Sequence, residues 1–91
     1  MEPIEEHQIY VHPHHVLKKD FYVYLDTVLD DYPKWRKGQA VFNLMYYMFP
    51  EIANKYRGSD IDPFHNDENC EKFVNVCFEE IEKVRTQDGD S

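Results

Sequence analysis

The sequence predicts an all-α fold, a small bundle of about four helices behind an extended N-terminal arm. Three observations carry that prediction. Apolar residues recur at three- to four-residue spacing in separate stretches, as in helices that bury one face. Pro13, Pro33, Pro50 and Pro63 fall at the ends of those stretches, where a helix can begin or must stop. Only "HQIYVH" (7–12) alternates with the period of a strand, and no second segment offers to pair with it, so residues 1–12 read as an arm.

The first helix follows Pro13. In "HHVLKKDFYVYLDTVLDDYP", Leu17, Phe21, Tyr24 or Leu25, and Val28 share one face, with Lys18, Lys19, Asp26 and Asp30 elsewhere. It should stop near Asp30 or Asp31, because Pro33 disfavours helical backbone at Tyr32. The second helix is expected from about Lys34 to Met48. Its apolar residues (Trp35, Val41, Phe42, Leu44, Met45, Met48, and Phe49 just beyond) cover more than one stripe, which suits a central helix with neighbours on two sides.

Pro50 at a first helical position, Glu51 in the first turn and a left-handed Gly58 past the end bound a third, short helix with Ile52, Ala53 and Tyr56 facing inward. "SDIDPFHNDEN" is irregular: Asp62-Pro63 reads as a cap followed by a turn that buries Ile61 and Phe64. Asn66 or Asp67 should then cap a last helix whose seam is Cys70, Phe73 or Val74, Cys77, Ile81 and Val84, with Glu71, Glu79, Glu80 and Glu82 mostly outside. Residues 86–91 read as a tail.

The chain has 91 residues, room for one domain (1–91) and one core, and its 42% hydrophobic and 15% aromatic content is enough to fill that core. A formal net charge of −8 argues against binding nucleic acid or anionic lipid, which calls for a basic face, and suits docking on a basic protein surface. A helix-turn-helix made of the second and third helices fits poorly, since the latter is short and opens on Glu51. An acidic mimic of DNA suits the charge, but the acids are spread over caps and helix exteriors. No apolar run approaches the roughly 20 residues that cross a bilayer, and "MEPIEEHQIY" lacks the apolar stretch of a signal peptide, so no membrane is expected and the cytoplasm is the expected compartment. Cys70 and Cys77, about 10 Å apart along one helix, are too distant for a disulfide and read as buried thiols.

Catalytic and metal chemistry finds little footing. His7, His12, His14 and His15 read as a solvated cluster, with Pro13 splaying any ligand set. His65, Cys70 and Cys77 could supply three soft ligands, but the cysteines belong to the apolar seam. Gly38, Gly58 and Gly89 are isolated and form no phosphate loop. Neither an enzyme nor a cofactor or metal is expected. Tyr22, Tyr24, Tyr46 and Tyr47 read as core edge, with a surplus that could serve an interface.

One stretch is unusual. "KWRKGQAVFNLMYYMFP" (34–50) opens on Lys34, Arg36 and Lys37 and carries Gly38 inside its first turn, although helix starts favour anions and helical glycine costs about 1 kcal/mol. The motif Arg36-x-Gly38-Gln39-Ala40-x-Phe42-Asn43 is followed by Pro50-x-x-Ala53, Arg57-Gly58-Ser59 and Asp62-Pro63-Phe64. Together these resemble a group of small uncharacterised proteins of tailed bacteriophages and prophages, over about a third of the chain (36–64). The resemblance implies a phage setting and no settled activity. On it rests the expectation of a non-enzymatic protein that binds and modulates or inhibits a host protein, such as a defence component, in the host cytosol.

Two readings of the basic stretch follow. In the first, Gly38 admits a close neighbour, and the face holding Arg36, Gln39 and Asn43 receives the turn 58–64, with Arg36 or Arg57 pairing Asp60 or Asp62. Arg57, Gly58, Asp60, Asp62, Pro63 and Phe64 are then an internal clamp. In the second, Lys34, Arg36, Lys37 and Gln39, with Asn43 behind them, bind a small ligand, a nucleotide phosphate or an acidic loop. A structural phage component stands third, and a homodimer through leftover apolar surface stays open.

Overall fold

In a computed structural model, residues 16–89 are described; the expected arm 1–12 with His7 and His12, the histidines His14 and His15, and residues 90–91 lie outside that range. Among the described residues four helices form: α1 (Lys18–Asp31), α2 (Lys37–Met48), α3 (Pro50–Tyr56) and α4 (Cys70–Gly89), with a 3-10 turn at Asp67–Asn69 leading into α4. No strand occurs among the described residues.

α1 begins where Asp20 reaches back, its Oδ2 accepting the Leu17 N–H at 3.1 Å. Phe21, Leu25 and Val28 are buried as the spacing requires. Leu17 is not: it is the extended residue before the helix, 46% exposed, and Val16 at 1% occupies the core in its place. The backbone changes from extended to helical there, so the helical spacing does not extend back to Leu17. Asn75 Oδ1 accepts from the Lys18 ammonium, and the ring of Phe21 meets that of Phe78 at 5.7 Å. Both pairs are offset by 57 positions, which sets α1 beside α4 and running the same way.

α2 starts at Lys37, three residues later than expected. The reason lies in the turn before it. Pro33 keeps Tyr32 out of helical backbone, Trp35 N–H donates to the Tyr32 carbonyl at 3.0 Å, and the two rings stack at 4.0 Å and 8°. Arg36 is therefore the extended residue that precedes the helix, and Lys34 lies outside it. Of the cations in this cluster only Lys37 stands in the first turn, which removes most of the conflict with the macrodipole.

α2 is central: Ala40, Val41, Phe42, Leu44, Met45 and Met48 are all buried, and it adjoins α1, α3, α4 and the 3-10 turn. Phe42 lies between Phe64 (6.0 Å, edge-on) and Phe73 (5.8 Å). α3 is two turns long, bounded as expected by Pro50 and by Gly58 at φ +75°, and Ala53 packs inward. Asn66 caps the 3-10 turn, its Oδ1 accepting the Glu68 N–H at 3.1 Å. Cys70, Phe73, Val74, Cys77, Phe78 and Ile81 line the inner side of α4, whereas Val84, expected in that seam, is 52% exposed. The helix runs on to Gly89, into the stretch read as a tail.

Candidate functional site

The loop after α3, residues 57–69, lies against the start of α2, and Gly38 is where they come closest. A Cβ at that position would stand 1.9 Å from the Pro63 carbonyl oxygen and 2.7 Å from Asp67 Oδ1. Its N–H donates to Asp67 Oδ1 at 2.9 Å. Arg36 donates through Nη2 to the Phe64 carbonyl at 2.9 Å, and its Nε stands 3.7 Å from Asp67 Oδ1. The anion that a helix start favours is thus delivered from the loop, and Arg36 serves the loop as well.

The acid that meets Arg36 is Asp67, not Asp60 or Asp62. Asp62 is occupied in its own turn, with Oδ2 accepting the Gly58 N–H at 2.6 Å and Oδ1 the Phe64 N–H at 2.9 Å. A short carboxylate beside proline satisfies nearby backbone before it can reach another element. The Asp60 and Asp62 carbonyls both accept from Asn69 Nδ2, at 2.9 and 3.1 Å. The loop is fixed largely from within.

Neither of two cavities among the described residues gathers the residues of the basic stretch. Lys34 and Lys37 are exposed, and Gln39 is half-buried. Asn43 is 3% exposed, with neither Oδ1 nor Nδ2 partnered. Lys37 lines a cavity of about 330 Å³ with Lys18, Tyr22, Cys70, Glu71 and Asn75, and Lys34, Arg36, Gln39 and Asn43 are not among its walls.

The loop also lines a groove of about 340 Å³ between Phe42, Arg57, Gly58, Asp62, Phe64 and His65. The Arg57 guanidinium carbon lies 5.3 Å from the ring centres of both Phe42 and Tyr46. The rings of Phe64 and His65 meet edge-on at 4.8 Å. A Cβ at Gly58 would meet nothing within 4 Å, so its φ of +75° is what requires glycine there. Sequence reasoning placed Arg57, Gly58, Asp62 and Phe64 together, but missed Phe42 and His65 as walls. Phe42 reads as core from its spacing and is core, 2% exposed, so it adds little open surface to the groove.

Elsewhere the chemistry is quiet. Both thiols are free and buried; burial pushes the Cys77 thiol up to about 12 and Cys70 upward too, against the pull of Lys37, so both are protonated and poor nucleophiles at neutral pH. Glu80 accepts from Lys55 and from the Tyr56 hydroxyl (2.7 Å), and these bonds hold its carboxyl below the usual range. No trio of His, Cys, Asp or Glu suited to a metal occurs among the described residues, and none of their helices is long and apolar enough to cross a membrane. The fold and site define a small helical protein with a loop-built groove. No family model matches the chain, nor does any curated protein or solved structure.

Proposed function

We propose that this chain is a non-enzymatic binding protein that engages and modulates a host protein, within the phage setting its 36–64 pattern resembles. One observation carries the reading: the 57–69 loop is held by its own side chains and by α2, yet it leaves an open groove walled by Phe42, Arg57, Phe64 and His65. A surface fixed before contact loses little conformational entropy on binding. Aromatic and arginine side chains are the usual anchors of protein interfaces. The acidic surface would favour a partner that is basic overall.

A second reading, a binder of small anions or nucleotide phosphates, is supported by the cavity that Lys18 and Lys37 share with Asn75. Glu71 in the same wall and the engagement of Arg36 by the loop weigh against it. The test is capture from bacterial lysate with the tagged full chain, followed by binding of the purified captured protein. One host protein that binds the wild type and is lost with a folded Arg57→Ala/His65→Ala variant is the expected result. Failure of capture, together with a melting-temperature rise on adding ATP that Lys37→Ala abolishes, would replace the first reading with the second.

A further inference from the structure

We infer that the cavity at the starts of α1, α2 and α4 binds a free α-amino acid with an apolar side chain. Its carboxylate would be held by Lys18 and Lys37, and its ammonium by Glu71. This cavity shares no wall with the groove beside the 57–69 loop, so it stands or falls apart from the protein-binding reading. The volume of about 330 Å³ is at the small end of ligand pockets and suits a molecule of that size. Lys18 and Lys37 are the first residues of α1 and α2, Cys70 and Glu71 open α4, and Tyr22 and Asn75 follow about one turn further on.

The polar groups of these walls are largely unspent. Among the described residues, the Lys37 ammonium, the Glu71 carboxylate and the Tyr22 hydroxyl form no hydrogen bond or ion pair. Lys37 and Glu71 thus carry opposite charges in one cavity without bridging it. Lys18 donates to Asn75 Oδ1 at 2.7 Å, which leaves it further N–H donors and leaves the Asn75 Nδ2 as a donor too. Burial first, and the Glu71 carboxylate next, raise the Tyr22 phenol above its ordinary value, so it stays protonated and can donate. Cys70, 7% exposed, adds a neutral sulfur to the inner side. A simple anion would be repelled by Glu71, and a simple cation by Lys18 and Lys37. A molecule with both charges uses every wall, through charge-assisted hydrogen bonds at each end. The Tyr22 ring, the thiol and the lysine stems then offer apolar contact to its side chain.

The experiment titrates the ¹⁵N-labelled full chain with L-leucine and, separately, with leucinamide, N-acetyl-leucine and inorganic phosphate. Leucine should move the amide resonances of Tyr22, Glu71 and Asn75. It should bind about tenfold tighter than leucinamide, which lacks the carboxylate, or N-acetyl-leucine, which lacks the ammonium. Glu71→Gln should erase the preference over N-acetyl-leucine, and Lys37→Met should narrow that over leucinamide. Both side chains are exposed, so neither change disturbs the core. Resonances that stay still up to ~20 mM leucine, where even a millimolar site saturates, overturn the inference. So does equal binding of N-acetyl-leucine, or tighter binding of phosphate, either of which would mark a plain anion site. A folded Glu71→Gln protein with its preference unchanged overturns it as well.

Discussion

Two places in this molecule join distant segments with similar residues and very different consequences. At the start of α2, Gly38, Arg36 and Asp67 bring the 57–69 loop onto the helix; between α3 and α4, Lys55 and Tyr56 reach Glu80. Both use charged groups and short hydrogen bonds. At the first, however, two backbones touch, through Gly38 and the Pro63 carbonyl. The second is built from side chains alone, with 59% of the Lys55 side chain exposed. A backbone contact has no rotamer to change, whereas an exposed side-chain strut can re-form through solvent. The α2 junction should therefore dominate stability.

Gly38→Ala tests this with the largest effect. Alanine gains about 1 kcal/mol of helix propensity, but its Cβ would overlap the Pro63 carbonyl at 1.9 Å, and overpacking against fixed backbone costs about 1–3 kcal/mol or more. With the Asp67 bond also displaced, we expect a net loss of about 2–3 kcal/mol, or roughly 10–20 °C in Tm at this size. A variant as stable as the wild type would mean that the backbone contact does not govern stability. Asp67→Ala comes next, at about 1 kcal/mol for a lost helix cap. The ion pair with Arg36, about half exposed on each side, adds little, so Asp67→Asn should recover most of the loss in chemical denaturation.

Much of the fold is legible in the sequence because local rules and packing agree. Pro50 and Gly58 bound α3 through φ alone, and the 3.6-residue pattern places Phe21, Leu25, Val28, Phe73 and Cys77 in the core. The costly Gly38 is itself the sign of a close neighbour. Where the sequence misleads, a contact between residues decides. The Tyr32–Trp35 stack moves the start of α2, and one extended residue exchanges Val16 for Leu17 in the core. Among the acids of the loop, composition does not tell which one its own turn captures. That choice gives Asp62 to Gly58 and Phe64 and leaves Asp67 for Arg36.

Asn43 sharpens the contrast from within α2. Arg36 and Gly38 find partners at the helix start, while the Asn43 amide is buried with none. Replacing an unsatisfied buried amide with an apolar group of similar size removes a desolvation cost, so Asn43→Leu should gain about 1 kcal/mol. A loss of that size in thermal unfolding would instead mean that an ordered water bonds the amide in solution.

The α3–α4 strut should show itself mainly through pH. Its hydrogen bonds to Lys55 and Tyr56 hold the Glu80 carboxyl below its ordinary 4.5. Folding therefore favours the ionised form. The stabilisation is fully present above pH 4.5 and is lost as pH falls through the lowered folded value, where both states bind the proton. Glu80→Gln should melt slightly below the wild type at pH 7, and the gap should close in acid. Tyr56→Phe, which removes one donor, should cost about 0.5 kcal/mol at pH 7. A gap between Glu80→Gln and the wild type that persists unchanged at pH 3 would mean that packing, not charge, joins these helices. The strut would then resemble the α2 junction, and the distinction between backbone contact and side-chain strut would fail where it is easiest to measure.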